Sequence, residues 1–172
     1  MGRRATKADS DSENIRGAPL YTAEQRRRRD ASAWTTVQAV LAPLQFVVFL
    51  VSLALILRWL AGGEGEAAAT ASVVVKTLVL YTIMVTGSVW EKAVFGVWLF
   101  AEAFFWEDVF SMLVLALHTA YLLALLADAF DLRTRMLLAL AAYAAYLINA
   151  GQFLWKLRQA RLQGGALAAA AG

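Results

Sequence analysis

From Val109 to Ala127 the chain runs through nineteen residues without an Asp, Glu, Lys or Arg. A helix of roughly 20 mostly apolar residues crosses a hydrocarbon core of about 30 Å. Inside that core every backbone amide must find its partner within the protein, which leaves helices and closed barrels as the only spanning structures. Three more stretches of this kind occur, so the expected spans are about 37–60, 70–90, 107–127 and 136–155. Gly62, Gly63 and Gly65 divide the first pair, and the charged segment Asp128–Arg135 divides the last. The expected fold is an all-α integral membrane protein of four transmembrane helices, with no internal repeat and no second domain. A composition of 60% hydrophobic and 17% charged residues agrees, since soluble domains of this size carry more charge.

The first 33 residues differ in kind, with eight Lys/Arg, five Asp/Glu and no apolar periodicity. They lack the short apolar core and cleavage site of a secretory signal and are expected to form a retained, partly disordered cytoplasmic tail (1–33), followed by the transmembrane domain (34–163) and a flexible tail (164–172). Arg26, Arg27, Arg28 and Arg29 close the first tail. Such a run binds acidic lipid headgroups or nucleic acid in some settings, but beside a membrane span it commonly fixes orientation, and no nucleic-acid partner is expected. With the N-terminus inside, twelve of the sixteen basic residues fall on the cytoplasmic side, leaving Arg58, Arg133 and Arg135 opposite and Lys76 within a span. Both termini are therefore expected to be cytoplasmic. Without cysteine, disulfides, thiolate metal sites and thiol catalysis are excluded.

Chemistry is concentrated in the third span. His118, the single histidine, lies at mid-bilayer depth, where an ionisable side chain is a functional-site hypothesis by default. At about 100° per residue, Glu107, Ser111, His118 and Tyr121 fall on one narrow face. The plain alternative for His118 is a hydrogen bond to a neighbouring helix; the functional ones are an axial metal ligand or a proton relay. Glu107 and Asp108 either complement the positive end of the helix dipole or hold a proton for delivery.

The connection before this span, Trp90 to Asp108, mixes seven aromatic residues with four carboxylates and one lysine. It is expected to lie in the interface, either as an anchoring belt or as a contact for a flat amphipathic ligand. On the second span Thr77, Tyr81, Ser88 and Lys92 share a face, while Lys76 projects from another and is expected to snorkel towards the outer end. The fourth span carries Tyr143, Tyr146, Asn149 and Gln152, and interhelical hydrogen bonding is the simplest role for Asn149 and Gln152. Pro43 and Gln45 are expected to mark a kink in the first.

The segments Leu20–Leu50 (LYTAEQRRRRDASAWTTVQAVLAPLQFVVFL), Val73–Gly96 (VVVKTLVLYTIMVTGSVWEKAVFG), Phe104–Leu122 (FFWEDVFSMLVLALHTAYL) and Ala142–Leu162 (AYAAYLINAGQFLWKLRQARL) closely resemble the vinyl bacteriochlorophyllide hydratase family. The likeness covers roughly residues 20–163, including polar and charged runs. It implies a hydro-lyase of bacteriochlorophyll biosynthesis in the bacterial inner (intracytoplasmic) membrane. Such an enzyme adds water to the 3-vinyl group (position 2 in older numbering) of a chlorophyllide or bacteriochlorophyllide, giving the 3-(1-hydroxyethyl) derivative. No cofactor is expected, because hydration is redox-neutral and magnesium belongs to the chlorin substrate. Partners implied are the pigment and membrane lipid, with a homo-oligomer or neighbouring pigment enzymes also open.

No catalytic set comes with the resemblance, so roles are assigned from chemistry. Glu107 or Asp108 is the candidate proton donor, with Glu91 and Glu102 as alternatives; Tyr81 and Asn149 are candidates to orient water. His118 is the candidate ligand to the substrate's magnesium, with Trp90, Trp98, Trp106, Ser111 and Tyr121 as candidate substrate contacts. About 16 Å of helix rise separates Glu107 from His118, so the two serve one substrate only if it lies along the helix or the acid comes from elsewhere. A non-catalytic pigment carrier and a small ion-coupled transporter remain as other function classes.

Overall fold

The computed structural model describes residues 20–170, which form five α-helices and one short 3₁₀ turn. Helix α1 covers Ala23–Ala31, α2 Ala33–Gly62, α3 Glu66–Phe95, α4 Phe105–Leu126 and α5 Leu132–Ala170, with the 3₁₀ turn at Glu102–Phe104 before α4. Helices α2 to α5 are each long and apolar enough to cross a membrane, and among the described residues there is no strand. This is the all-helical, four-span architecture expected.

Local chemistry sets most of the boundaries. Thr22 and Gln25 form a reciprocal capping box that starts α1: the Gln25 amide donates to Thr22 Oγ1 at 3.2 Å, and the Thr22 amide donates to Gln25 Oε1 at 2.9 Å. That signature lies in the latter part of the tail expected to be partly disordered; the expected disorder of its front half falls outside the described residues. Gly63 ends α2 and Gly96 ends α3, each in the left-handed conformation that a side chain disfavours. Because α3 stays helical through Phe95, the irregular connection to α4 is short. Helix α2 runs uninterrupted across Pro43, and α5 continues past residue 163 to Ala170, where a separate tail was expected.

The four long helices pair as two hairpins, α2 with α3 and α4 with α5, each packed closely along its length. The hairpins meet more loosely along α3–α4 and α2–α5. Lipid gives little hydrophobic reward for helix association, so hydrogen bonds and close packing hold such pairs. Gln38 Nε2 donates to Thr86 Oγ1 at 2.8 Å beside Gly87, tying α2 to α3. Tyr81 and Thr119 hydroxyls bond at 2.8 Å across the α3–α4 seam, and Ser52 and Tyr143 hydroxyls bond at 2.6 Å across the α2–α5 seam. The apolar core along these seams includes Phe49, Ile56, Val73, Leu80, Val114 and Met136.

An even number of spans puts both described ends of the chain on one side, called here the tail end. A second cluster sits there: Tyr21 stacks on Phe95 at 5.7 Å, and Phe104 stacks on Phe153 at 5.8 Å. Trp90 meets Phe95 and Phe104 edge-on, while its indole N–H donates to Thr35 Oγ1 at 3.0 Å.

Candidate functional site

The buried face of α4 carries Glu107, Asp108, Ser111, Val114, His118, Tyr121 and Ala124. The polar stripe of the third span is thus turned into the bundle, and facing helices add to it at two depths.

At the tail end four charged side chains are paired off. Lys156 Nζ on α5 lies 2.5 Å from Glu107 Oε2 and also donates to the Ala103 carbonyl. Asp108 Oδ2 accepts the Phe100 amide at 2.7 Å, and Glu91 Oε2 accepts the next amide, Ala101, at 3.1 Å. Bonded to consecutive amides, the Glu91 and Asp108 carboxyls are held on the same short segment of chain. Phe100 adopts φ 61°, a left-handed conformation unusual for a bulky residue, so these carboxyls also clamp a strained turn. One helical turn further in, Asn149 Nδ2 donates to Ser111 Oγ at 2.8 Å, and Asn149 Oδ1 is left with no partner.

Deeper still, the polar atoms are unpaired. His118 is fully buried; its Nδ1 meets the Val114 carbonyl at 2.8 Å and its Nε2 meets nothing. A ring nitrogen facing its own helix carbonyl carries the proton, which leaves Nε2 as a free lone pair. The ring stands 5.7 Å from that of Tyr143. Lys76, also fully buried, puts Nζ 4.0 Å over the Tyr146 ring and has no hydrogen-bond acceptor. The snorkelling expected of Lys76 does not occur: the residue shares the inward face of α3 with Ala69, Val73, Thr77 and Leu80, and its stem packs inside. The hydroxyl of Tyr121 and Oε1 of Gln45 are likewise buried without a partner.

Other candidates fall away from this column. Tyr81 is committed to Thr119, Glu102 is exposed, and Trp98 and Trp106 face outward at 57% and 66% exposure. Sequence reasoning missed Lys156 as a site residue, although its spacing of seven from Asn149 puts both on one face of α5. It also missed Ser52, the Tyr143 partner. Among the described residues no three His, Asp or Glu side chains converge as a metal-binding group.

The inward face of α4 thus meets two carboxyls bound to consecutive amides, an amide beside a hydroxyl, and an imidazole with a free nitrogen, with Glu91 supplied by α3 and Asn149 by α5. Comparison with known proteins identifies the family. A sequence model of the 2-vinyl bacteriochlorophyllide hydratase family matches residues 21–159. The 2-vinyl bacteriochlorophyllide hydratase of Rhodobacter capsulatus is 68% identical over 144 residues, 84% of each chain. That of Cereibacter sphaeroides is 68% identical over 143 residues, covering 83% of this chain and 89% of the relative. No solved structure matches. On the extent and level of that similarity, the chain belongs to the 2-vinyl bacteriochlorophyllide hydratase family.

Proposed function

We propose that the chain adds water to the vinyl group of a bacteriochlorophyllide at the column between Asp108 and His118, giving the 1-hydroxyethyl product. The observation that carries the site assignment is that Glu91 and Asp108 accept from consecutive backbone amides, a carboxyl pair we assign as the proton donor, one turn from the Ser111–Asn149 hydrogen bond. Protonating the terminal CH2 uses the π pair to form a C–H bond and leaves positive charge on the adjacent carbon, where the macrocycle delocalises it. Water adds there through oxygen and loses a proton, which returns to the carboxyl pair. Atoms and charge balance, and the addition is redox-neutral, so we propose no cofactor beyond the magnesium already in the substrate.

Each residue then has a distinct task. His118 Nε2 is the axial ligand to the substrate's magnesium and fixes the macrocycle. Asn149 Oδ1, an acceptor with nothing to accept, orients the attacking water, and Ser111 with Asn149 carries the proton between the carboxyl pair and the vinyl edge. This resolves the distance problem, because about 15 Å of rise separates Asp108 from His118 and the intervening turn at Ser111 bridges it. Glu107 is occupied by Lys156 at 2.5 Å, which leaves Glu91 and Asp108 as the carboxyls we assign to proton delivery. Tyr121 lines the far side of the pigment. Trp98 and Trp106, facing outward, suit contact with lipid or with pigment arriving along the interface.

For orientation we propose that the tail end is cytoplasmic and the membrane is the bacterial inner membrane, supported by the twelve basic residues gathered there. Since the chain has no cysteine, Glu64→Cys gives a single label site in the α2–α3 turn. Labelling should come from the periplasmic side, and cytoplasmic labelling would reverse the topology.

The reaction is tested with two isotopes. In 18O-water the hydroxyethyl oxygen should carry the label, and in D2O the new methyl group should gain deuterium, with turnover continuing in the absence of O2. Label arriving from O2 would rule out direct hydration, and binding with no product heavier by one water would make the chain a pigment carrier.

A further inference from the structure

Lys76 has no task in the reaction above, and its setting is unusual. An ammonium group within a membrane span costs about 2.5–3.5 kcal/mol even by lenient scales and is normally matched to an anion. Here the side chain is fully buried, Nζ has no hydrogen-bond or salt-bridge partner, and its one favourable contact is the Tyr146 ring at 4.0 Å. The acids of its own helix are remote: Glu66 lies ten residues away and Glu91 fifteen, about 15 and 22 Å of helix rise. On α4, Glu107 pairs with Lys156 and Asp108 with the Phe100 amide, both at the tail end. Among the described residues no carboxylate lies within salt-bridge distance of this amine.

The substrate proposed above brings one. A chlorophyllide is a chlorin free acid whose propionate carboxylate projects from the macrocycle edge, so a pigment held at its centre by His118 presents an anion some distance to one side. Lys76 and His118, on different hairpins, both face neighbouring tyrosines of α5, with Nζ 4.0 Å over the Tyr146 ring and the imidazole 5.7 Å from the Tyr143 ring, and the two hairpins meet along their looser seam. A flat molecule entering that seam would pass between α3 and α4 with the amine on one wall and the imidazole on the other. Tyr146, already against Nζ, would hold the ammonium from the opposite side through its ring face.

From these positions we infer that Lys76 binds the propionate carboxylate of the chlorin substrate and selects the free acid over its esters. The inference rests on the hydratase reading for its ligand but concerns binding rather than conversion, so the two can fail separately.

The test measures binding of magnesium chlorophyllide and of its methyl ester to the full-length protein in detergent or nanodiscs, followed by pigment absorbance. Wild type should favour the free acid by about tenfold, the scale of one charge-assisted contact out of water. Lys76→Met, which keeps the apolar stem, should lose that preference by weakening free-acid binding while leaving ester binding unchanged. Lys76→Arg should restore much of it. Equal affinity of wild type for acid and ester would overturn the assignment whether or not the variants fold. Equal loss of both ligands in Lys76→Met would instead make Lys76 a packing residue, which also overturns it. Product formation is read separately by pigment mass, so absence of the hydroxyethyl product would refute the hydratase reading without touching the acid–ester comparison.

Discussion

The tail end of the bundle and its interior both carry buried polar groups, yet the tail-end charges are paired while several interior groups are not. At the tail end Glu107 has Lys156, Glu91 and Asp108 each have a backbone amide, and Tyr21 is stacked on Phe95 beneath the Arg29 guanidinium. In the interior Lys76 Nζ, His118 Nε2, Tyr121 Oη and Gln45 Oε1 are all buried without a partner. A buried unpaired polar group costs about 1–3 kcal/mol, so a fold carrying several in one place is stabilised elsewhere or by what binds there. In the proposed reaction the paired region delivers the proton and the unpaired region receives the pigment.

The sharpest way to break this comparison is to remove the proton store without changing its shape. Asp108→Asn and Glu91→Gln each keep an oxygen for the Phe100 or Ala101 amide but abolish the acidic proton. Turnover should fall by about a hundredfold or more while pigment still binds, the scale of lost general-acid catalysis. Full activity in both variants would move the acid to Glu107 or His118.

The interior is probed next through His118→Ala, which should weaken binding of the magnesium pigment by about tenfold and leave a magnesium-free analogue nearly unaffected. Equal sensitivity of the two pigments would remove the axial-ligand role. Lys156→Met should act differently from both, because it strands Glu107 in a buried position. Here the loss is thermal stability, about 3 kcal/mol at the low end for a broken buried pair since Lys156 is partly exposed. The double variant Lys156→Met with Glu107→Gln should recover most of it.

The smallest effect lies outside both regions, at the start of α5. Asp131 Oδ1 accepts the Thr134 amide at 2.9 Å, and hydrogen bonds from Thr134 hold its carboxyl below the usual aspartate range. A depressed folded-state pKa means this cap contributes fully above about pH 4, the unfolded value, and is lost as pH falls through the folded one. Acidification should raise amide exchange at Thr134 by a few-fold, and Asp131→Ala should abolish that pH dependence.

The contrast between the regions was only partly legible in the sequence. The α4 stripe follows from helical spacing alone, and Glu107, Ser111, His118 and Tyr121 do face inward. Lys76 was misjudged because a lone lysine two turns from a span end has two outlets, and spacing along its own helix does not say which is taken. The decisive signal was its register with Ala69, Val73 and Leu80, the apolar residues of the α3 inward face. The α1 helix was overlooked although Thr22 and Gln25 spell out its cap, because a polar, arginine-rich stretch shows no apolar periodicity.

What the sequence determined by itself was the number of spans, their all-helical form and the family. Hydrocarbon leaves uncharged stretches of this length almost no other structure, and similarity extending through polar runs is not a product of hydropathy. What only the tertiary structure decided was which polar groups meet: that Lys156 takes Glu107, that Glu91 reaches across from α3 to the amide next to the one Asp108 holds, and that Lys76 Nζ and His118 Nε2 remain unmatched. Pairing depends on how helices distant in sequence are set in depth and rotation against one another. Those quantities come from packing and interhelical hydrogen bonds summed over whole seams, so no single helix's pattern encodes them.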